Sequence, residues 1–152
     1  MVNFREKMLS FRHLCYKNGY LFAAFLIPVI LMGIAYISFG IYPFGGRSVL
    51  SLDLNAQYVF YFDYVHDVIG NGESLMYSWS RNLSGEFMGI IGYYLASPFN
   101  ILVWIFPRSM ITEGLLTMML AKFGACGVTF ALFAHKSQKL SKTTAALFAP
   151  MY

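Results

Sequence analysis

A charge-free stretch from residue 18 to residue 46 constrains this chain more than any other feature of its sequence. Within it, residues 20–39 are almost wholly apolar, and about 20 such residues in a helix cross the hydrocarbon core of a bilayer. Pro28 is tolerated there because neighbouring helices satisfy the carbonyl that it frees. The run is longer than the apolar core of a cleaved signal peptide, and no A-x-A-like site follows it. The sequence therefore predicts a retained first transmembrane helix over residues 19–40.

Composition indicates the same environment for the rest of the chain. Of the 152 residues, 58% are hydrophobic and 12% are charged, which is about half the charged share of an average soluble domain. We therefore expect an all-α membrane protein, with membrane lipid as its first partner. The net charge of +4 does not indicate a nucleic-acid partner, because the basic residues cluster at two places rather than forming a stripe.

A second transmembrane helix is predicted over residues 113–134. A third apolar run begins at residue 143 and stops at residue 152, where the sequence ends. A membrane helix cut off after about ten residues is too short to span, so we expect the N-terminal part of a longer polytopic protein. The small residues of the second helix suit close packing against other membrane helices; they are Gly124, Ala125, Gly127 and Ala131.

Charge asymmetry predicts how these segments are oriented. Lysine and arginine exceed acidic residues in 1–18 and in 135–142, whereas the middle region 40–113 holds six acidic residues and three basic ones. Excess positive charge marks the cytoplasmic side, so both basic segments are expected inside the cell and 41–112 outside, as a large first extracytoplasmic loop. Two crossings between the basic segments satisfy this rule. The charge-free stretch 87–106 is therefore expected to lie along the interface, or to dip in and return.

An amphipathic helix is expected in this loop, over about 54–69. Asp53 would cap its N-terminus, a role worth about 1 kcal/mol. The alternative for Asp53 is a catalytic base at the mouth of a membrane cavity, where a carboxylate takes a proton from an acceptor hydroxyl. The apolar stripe of the helix, which would turn toward membrane or core, is formed by Leu54, Tyr58, Phe62 (or Tyr61), Val65 and Ile69.

The opposite side of this helix carries a second open question. Asp63, His66 and Asp67 have a spacing that could hold a metal ion, but a solvated helix face explains these residues equally well. The sequence fixes no cofactor, and a divalent metal ion stays open.

Lys122 lies inside the second apolar helix, where a cation costs about 2.5–3.5 kcal/mol. Such a residue usually faces a cavity or a partner, and here it could meet the phosphate of a lipid carrier in the outer leaflet. Snorkelling to the interface, or pairing with a carboxylate elsewhere in the chain, is the open alternative.

The sequence resembles the start of the bacterial YfhO family of membrane proteins in two runs, residues 40–45 (GIYPFG) and 53–58 (DLNAQY). Two later runs also resemble that family, residues 77–80 (YSWS) and 93–100 (YYLASPFN). The likeness covers nearly the whole chain. It corresponds to the amino-terminal part of a family whose members are several times longer.

The resemblance implies a polytopic helical bundle of the GT-C glycosyltransferase type in the bacterial cell membrane. The donor would be a polyprenyl-phosphate-linked sugar, used at the outer face of the membrane, and the acceptor a cell-envelope polymer such as teichoic acid. Asp53 matches the acid in the first loop of that class and would be the catalytic residue. Lys122 would correspond, more loosely, to a basic residue near the donor phosphate. The other substrate-binding candidates are Gln57, Tyr58, Tyr93 and Tyr94, whose tyrosines would stack on sugar rings or belong to an interfacial aromatic belt.

A transporter or flippase-like protein, or a non-catalytic membrane subunit, is the alternative function. Transporters place their sites on broken helices near the bilayer midplane, and Pro98 could mark such a break. A membrane-spanning segment over 87–107 would weaken the glycosyltransferase topology.

Overall fold

Helices dominate the computed structural model, which describes residues 4–79 and 85–151 and only the backbone within 4–17. The side chains of the basic segment up to residue 17, and Ser80 of the 77–80 run, lie outside this description. The α-helices are α1 (Phe4–Ser38), α2 (Val59–Asn71), α3 (Met88–Ile90), α4 (Ile101–Ile105), α5 (Ile111–Lys136) and α6 (Lys142–Leu147). Two π-helical turns cover Leu54–Tyr58 and Ile91–Leu95, and 3₁₀ turns cover Pro98–Asn100, Arg108–Met110 and Ala149–Met151.

Two helical segments of the described residues are long and apolar enough to cross a membrane by themselves, Asn18–Ser38 and Arg108–Lys136. The chain divides into two compact units. The first, which we call the membrane unit, consists of Met1–Ile34 and Leu120–Tyr152. The second, the loop unit, consists of Ala35–Met119 and therefore holds Ser38 and Arg108, one end of each candidate span.

The membrane unit is packed through small side chains. A Cβ atom added at Gly127 would lie 2.2 Å from the carbonyl oxygen of Ala24 and 2.8 Å from Cγ of Pro28. Backbones that approach this closely need glycine, as in many membrane helix pairs. Alanines continue the interior of this unit; the buried ones are Ala24, Ala131, Ala134, Ala145, Ala146 and Ala149.

The loop unit has a larger apolar core, built on α2. Phe62 and Val65 of that helix are buried, as the apolar stripe predicted. Ile69 was expected in the stripe but is 65% exposed, because it lies in the last turn of the helix before Gly72 ends it in a left-handed conformation. The other buried members of this core are Tyr64, Phe87, Ile90, Leu95, Val103, Ile111, Leu115 and Met118.

Tyr64 was missing from the predicted stripe although it is buried. Its single hydroxyl hydrogen is shared between the carbonyl oxygens of Ser74, at 2.9 Å, and Tyr77, at 3.1 Å, so the polar end of the ring is satisfied inside the core. The loop that follows α2 is held in place by these bonds. It leads into a short antiparallel pair of strands, β1 (Tyr77–Ser78) and β2 (Gly85–Glu86).

The stretch expected along the interface, 87–106, is a bent pair of helical segments. Met88–Leu95 and Pro98–Ile105 meet at an angle of 94°. Ser97 between them is extended (φ −67°, ψ 130°), because the residue before a proline is kept out of the helical region by the proline ring. The geometry is that of a broken span or of a segment that enters and returns, and it is not one straight helix.

Close packing continues at the junction of this stretch with α5. A Cβ at Gly114 would lie 3.1 Å from Cα of Val103. At the same end of α5, the hydroxyl of Tyr42 donates to Oε1 of Glu113 at 2.9 Å. This hydrogen bond, and the negative charge of Glu113, raise the pKa of Tyr42.

Candidate functional site

Asp53 begins the first π-helical turn with an exposed side chain. Its expected role as an N-cap is wrong: Asp53 has helical dihedrals (φ −62°, ψ −29°) and its side chain makes no capping hydrogen bond. A capping side chain needs an extended backbone at that position to reach the N–H groups of the next turn. The carboxylate is therefore not engaged in holding the helix end.

The residue before Asp53 has an unusual backbone. Leu52 has a φ of 48°, a left-handed conformation that costs a non-glycine residue about 1 kcal/mol or more. Its carbonyl nevertheless accepts the N–H of Ala56 at 3.0 Å, which fixes the turn into the helix. Backbone strain and a π-helical turn at the same place are both features that concentrate at functional sites.

The second π-helical turn packs against the first through two tyrosines. The rings of Tyr58, at the end of Leu54–Tyr58, and Tyr94, within Ile91–Leu95, are stacked with their centroids 3.4 Å apart and an angle of 27° between their planes. Tyr93 lies edge-on to Tyr94 at 5.0 Å. Four of the predicted site residues, Asp53, Tyr58, Tyr93 and Tyr94, thus belong to one part of the loop unit.

Tyr58 is held in its protonated form. A hydrogen bond with the side chain of Tyr94, partial desolvation, and the nearby charge of Asp53 raise the pKa of Tyr58 to about 12. At neutral pH its hydroxyl is therefore a hydrogen-bond donor and not a base. Asp53 supplies the carboxylate of this cluster.

The accessible surface of the cluster is aromatic and neutral apart from Asp53. Tyr93 is 76% exposed, and Gln57 is exposed on the first π-helical turn. An exposed aromatic face beside an amide and a carboxylate offers stacking and hydrogen bonding together. This combination suits a ring with several hydroxyl groups.

Asn100 supports the cluster from inside the core, and sequence reasoning did not assign it. It is 1% exposed, and its Nδ2 donates to the carbonyl of Tyr94 at 3.0 Å. The bend before Pro98 frees this carbonyl from helical hydrogen bonding, so a buried donor is needed there. A polar residue shortly after a helix-breaking proline in an apolar stretch was the available signal.

Two of the three candidate metal ligands on α2, Asp63 and Asp67, form ion pairs with Arg108. Arg108 Nε and Nη2 donate to the two carboxylate oxygens of Asp63 at 2.5 Å each, and its Nη1 donates to Asp67. Both carboxylates are thus engaged by one guanidinium group, on a face of the helix that is partly exposed. Within 4–79 and 85–151, no group of three or more potential metal ligands occurs.

Lys122 is half-buried in α5 and belongs to the membrane unit. The tyrosine and Asp53 cluster belongs to the loop unit. The structure thus brings Asp53, Gln57, Tyr58, Tyr93 and Tyr94 into one unit, and Lys122 is outside that set.

Fold and site together define an all-α membrane protein with an acidic, tyrosine-rich cluster on the unit that joins its two apolar helices. The profile of the family described as bacterial membrane protein YfhO matches residues 23–152. The chain belongs to this YfhO family, as its motifs predicted. No curated protein and no solved structure matches it.

Proposed function

We propose that this protein acts as part of a GT-C type membrane glycosyltransferase. The donor is a polyprenyl-phosphate-linked sugar and the acceptor is a hydroxyl of a cell-envelope polymer such as teichoic acid. The loop unit is proposed to face the extracytoplasmic side, with the N-terminus in the cytoplasm. This assignment comes from the family resemblance and from the charge distribution along the chain.

The observation that carries the proposal is the unengaged carboxylate of Asp53 beside the stacked tyrosines. A general base must be free to approach the hydroxyl that it deprotonates, and Asp53 is exposed with no capping bond. Tyr93 presents an exposed ring on which a sugar would stack. Tyr58, kept protonated by its hydrogen bond with Tyr94, would hold the stacked pair in place beside the sugar.

The proposed reaction needs no redox partner. Asp53 accepts the proton of the acceptor hydroxyl while the hydroxyl oxygen attacks the anomeric carbon of the donor. The bond between that carbon and the phosphate oxygen breaks, and the polyprenyl phosphate leaves with the electron pair. Lys122 is proposed, from the family resemblance, to stabilise the charge that develops on the phosphate.

The test is the Asp53→Asn variant expressed in place of the unaltered protein. We expect the sugar content of purified teichoic acid, measured by NMR, to fall to background while the amount of protein in the membrane is unchanged. Glu73→Gln is the matched control, because Glu73 is exposed beyond the end of α2 and outside the tyrosine cluster. Full sugar transfer by Asp53→Asn would remove the catalytic assignment.

Orientation has its own test. In a background with Cys15 and Cys126 changed to serine, a cysteine at position 53 should react with a membrane-impermeant maleimide added to intact cells. Reaction only after the cells are broken would reverse the orientation and the proposed chemistry with it.

A transporter or flippase-like function is the second candidate, and the 94° bend at 95–98 favours it. Broken helices carry the substrate sites of many transporters. In that case the protein would deliver the lipid-linked donor, and other cell-wall enzymes would transfer the sugar. Asp53→Asn cells should then regain sugar transfer once the donor is supplied on the outside. Rescue of Asp53→Asn by externally supplied donor supports transport, whereas failure of rescue supports catalysis.

A further inference from the structure

A short apolar loop between α2 and β2 is separate from the tyrosine and Asp53 cluster. We refer to residues 74–79 as the tip loop; its sequence is Ser-Leu-Met-Tyr-Ser-Trp, with no charged residue. Met76 is 63% exposed and Trp79 is 81% exposed. Large apolar side chains exposed together on a short segment usually mark an interaction surface.

The tip loop is held rigidly in this exposed arrangement. The hydroxyl hydrogen of Tyr64 is shared between the carbonyls of Ser74 and Tyr77, and Met76 N–H donates to Oγ of Ser74 at 3.1 Å. The N–H of Phe87 donates to the carbonyl of Met76 at 2.9 Å, which ties the loop to the buried core. These bonds tie the backbone of the loop to the core, and Met76 and Trp79 are left exposed on its surface.

Strand alternation determines which side chains point outward. Successive side chains of a strand lie on opposite faces: Ser78 is buried, and Tyr77 and Trp79 on either side of it are exposed. The rings of Tyr77 and Trp79 pack edge-to-face with centroids 5.0 Å apart. A small polar residue thus faces the core while two aromatic residues face outward.

Two observations identify lipid as the occupant of this surface. The loop unit holds one end of each candidate span, Ser38 and Arg108, so chain connectivity places it at a membrane surface. Tyrosine and tryptophan beside aliphatic side chains form the composition typical of the membrane–water interface, where their rings have one apolar and one polar side.

We propose that the tip loop is a membrane-interface anchor, which inserts Met76 and Trp79 into the bilayer leaflet beside the loop unit. Insertion would hold the loop unit at a fixed depth. The anchor does not depend on the proposed glycosyltransferase activity, because it rests on the exposure, hydrogen bonding, composition and connectivity of the tip loop.

The test uses the fluorescence of Trp79 in protein reconstituted into bilayer vesicles. The chain has two tryptophans, so Trp104→Phe leaves Trp79 as its only emitter. We expect blue-shifted emission, and a loss of intensity that is larger with lipids brominated near the glycerol backbone than with lipids brominated near the methyl end. Trp79→Phe is the matched control, because its remaining emitter, Trp104, has a buried indole nitrogen.

Two results would overturn the anchor. Emission typical of water, equal in brominated and ordinary lipids, would mean that Trp79 faces solvent. Blue-shifted emission without quenching by either lipid would mean that protein covers it.

A second measurement leaves both tryptophans in place, in case Trp104→Phe perturbs folding. In the background with Cys15 and Cys126 changed to serine, a spin label is attached through Met76→Cys or, as the control, through Glu73→Cys. We expect the label at 76 to collide more with oxygen than with a water-soluble nickel complex, and the label at 73 to show the reverse. Equal preference for nickel at both positions would contradict insertion.

Discussion

The rings of Tyr58 and Tyr94 are stacked with their centroids 3.4 Å apart, one on each π-helical turn of the loop unit. This pair connects the helix that begins at Asp53 to the bent segment 88–105. The stack therefore sets the relative position of the carboxylate and of the exposed ring of Tyr93. The pair also raises the pKa of Tyr58.

Tyr94→Phe should lower the pKa of Tyr58 from about 12 toward the ordinary tyrosine value of 10.0, because the hydrogen bond between the two side chains is the largest cause of the shift. The measurement is a 19F NMR titration with fluorotyrosine at position 58, in the parent and in the variant. The same label in both proteins cancels its own effect on the pKa. An unchanged pKa would show that the hydrogen bond is not formed.

The same pair predicts a loss of stability at alkaline pH. The pKa of Tyr58 in the folded protein lies above its unfolded value of 10.0, so the folded state binds the proton more tightly. The contribution to stability is fully present below about pH 10 and is lost as the pH rises through about 12. The measurement is thermal denaturation at about pH 9 and about pH 12, the limits that these pKa values set. Between them, the unfolding temperature of Tyr94→Phe should drop less than that of the parent. An equal drop in both proteins would assign the alkaline loss to other groups.

Asn100 should be needed for the bend that presents Tyr94. Asn100→Leu leaves the Tyr94 carbonyl without its donor, and an unsatisfied buried acceptor costs about 1–3 kcal/mol. We expect that loss in the free energy of unfolding, together with a lower pKa of Tyr58 if the ring of Tyr94 moves. Asn55→Leu, the same change at an exposed asparagine, is the control and should leave both quantities unchanged. A neutral Asn100→Leu would mean that the carbonyl finds another donor.

Arg108 should stabilise the loop unit through Asp63 and Asp67. Its side chain is 54% exposed, and exposed ion pairs are only weakly stabilising, so Arg108→Gln should lower the unfolding temperature slightly at low salt. Part of this loss is the repulsion between two carboxylates one helical turn apart.

The control for Arg108 is a mutant cycle. In a protein that already carries Asp63→Asn and Asp67→Asn, Arg108→Gln should have little effect, and high salt should reduce the cost in the parent. A loss of the same size in both backgrounds would assign the role of Arg108 to packing of its aliphatic part.

The sequence was most informative where one residue type determines the local outcome. The apolar runs predicted the two long helices and the all-α membrane fold, which is confirmed. Pro98 predicted a break that the structure shows as a 94° bend. The orientation in the membrane, the domain boundaries and the catalytic roles stay predictions.

What the sequence could not predict depends on contacts between residues far apart in the chain. Tyr64 and Asn100 looked like polar interruptions because their partners are backbone carbonyls, which carry no sequence signal. The sequence did not indicate that Asp63 and Asp67 pair with Arg108, because Arg108 lies 45 and 41 residues further along the chain and meets them only in the folded protein. Asp53 does not cap the helix because its own backbone is already helical, a conformation that sequence periodicity does not predict at a helix end.

Gly127 should be the least replaceable glycine of the membrane unit. In Gly127→Ala the new Cβ would lie 2.2 Å from the backbone oxygen of Ala24, and a backbone atom cannot turn aside, so α1 and α5 must move apart. Overpacking of this kind costs about 1–3 kcal/mol. Gly124→Ala should cost less, because the three atoms nearest to its new Cβ all belong to the ring of Phe25, a side chain that can move aside more easily than backbone.

Gly33→Ala is the matched control for this glycine, because nothing lies within 4 Å of its added Cβ and it is also inside α1. Alanine exceeds glycine in helix propensity by up to about 1 kcal/mol, so Gly33→Ala should be neutral or stabilising. Circular dichroism of the purified protein during heating measures the unfolding temperature. This temperature should be highest for Gly33→Ala, lower for Gly124→Ala and lowest for Gly127→Ala. If Gly127→Ala proves as stable as Gly33→Ala, the close approach of the two helices at Ala24 is wrong.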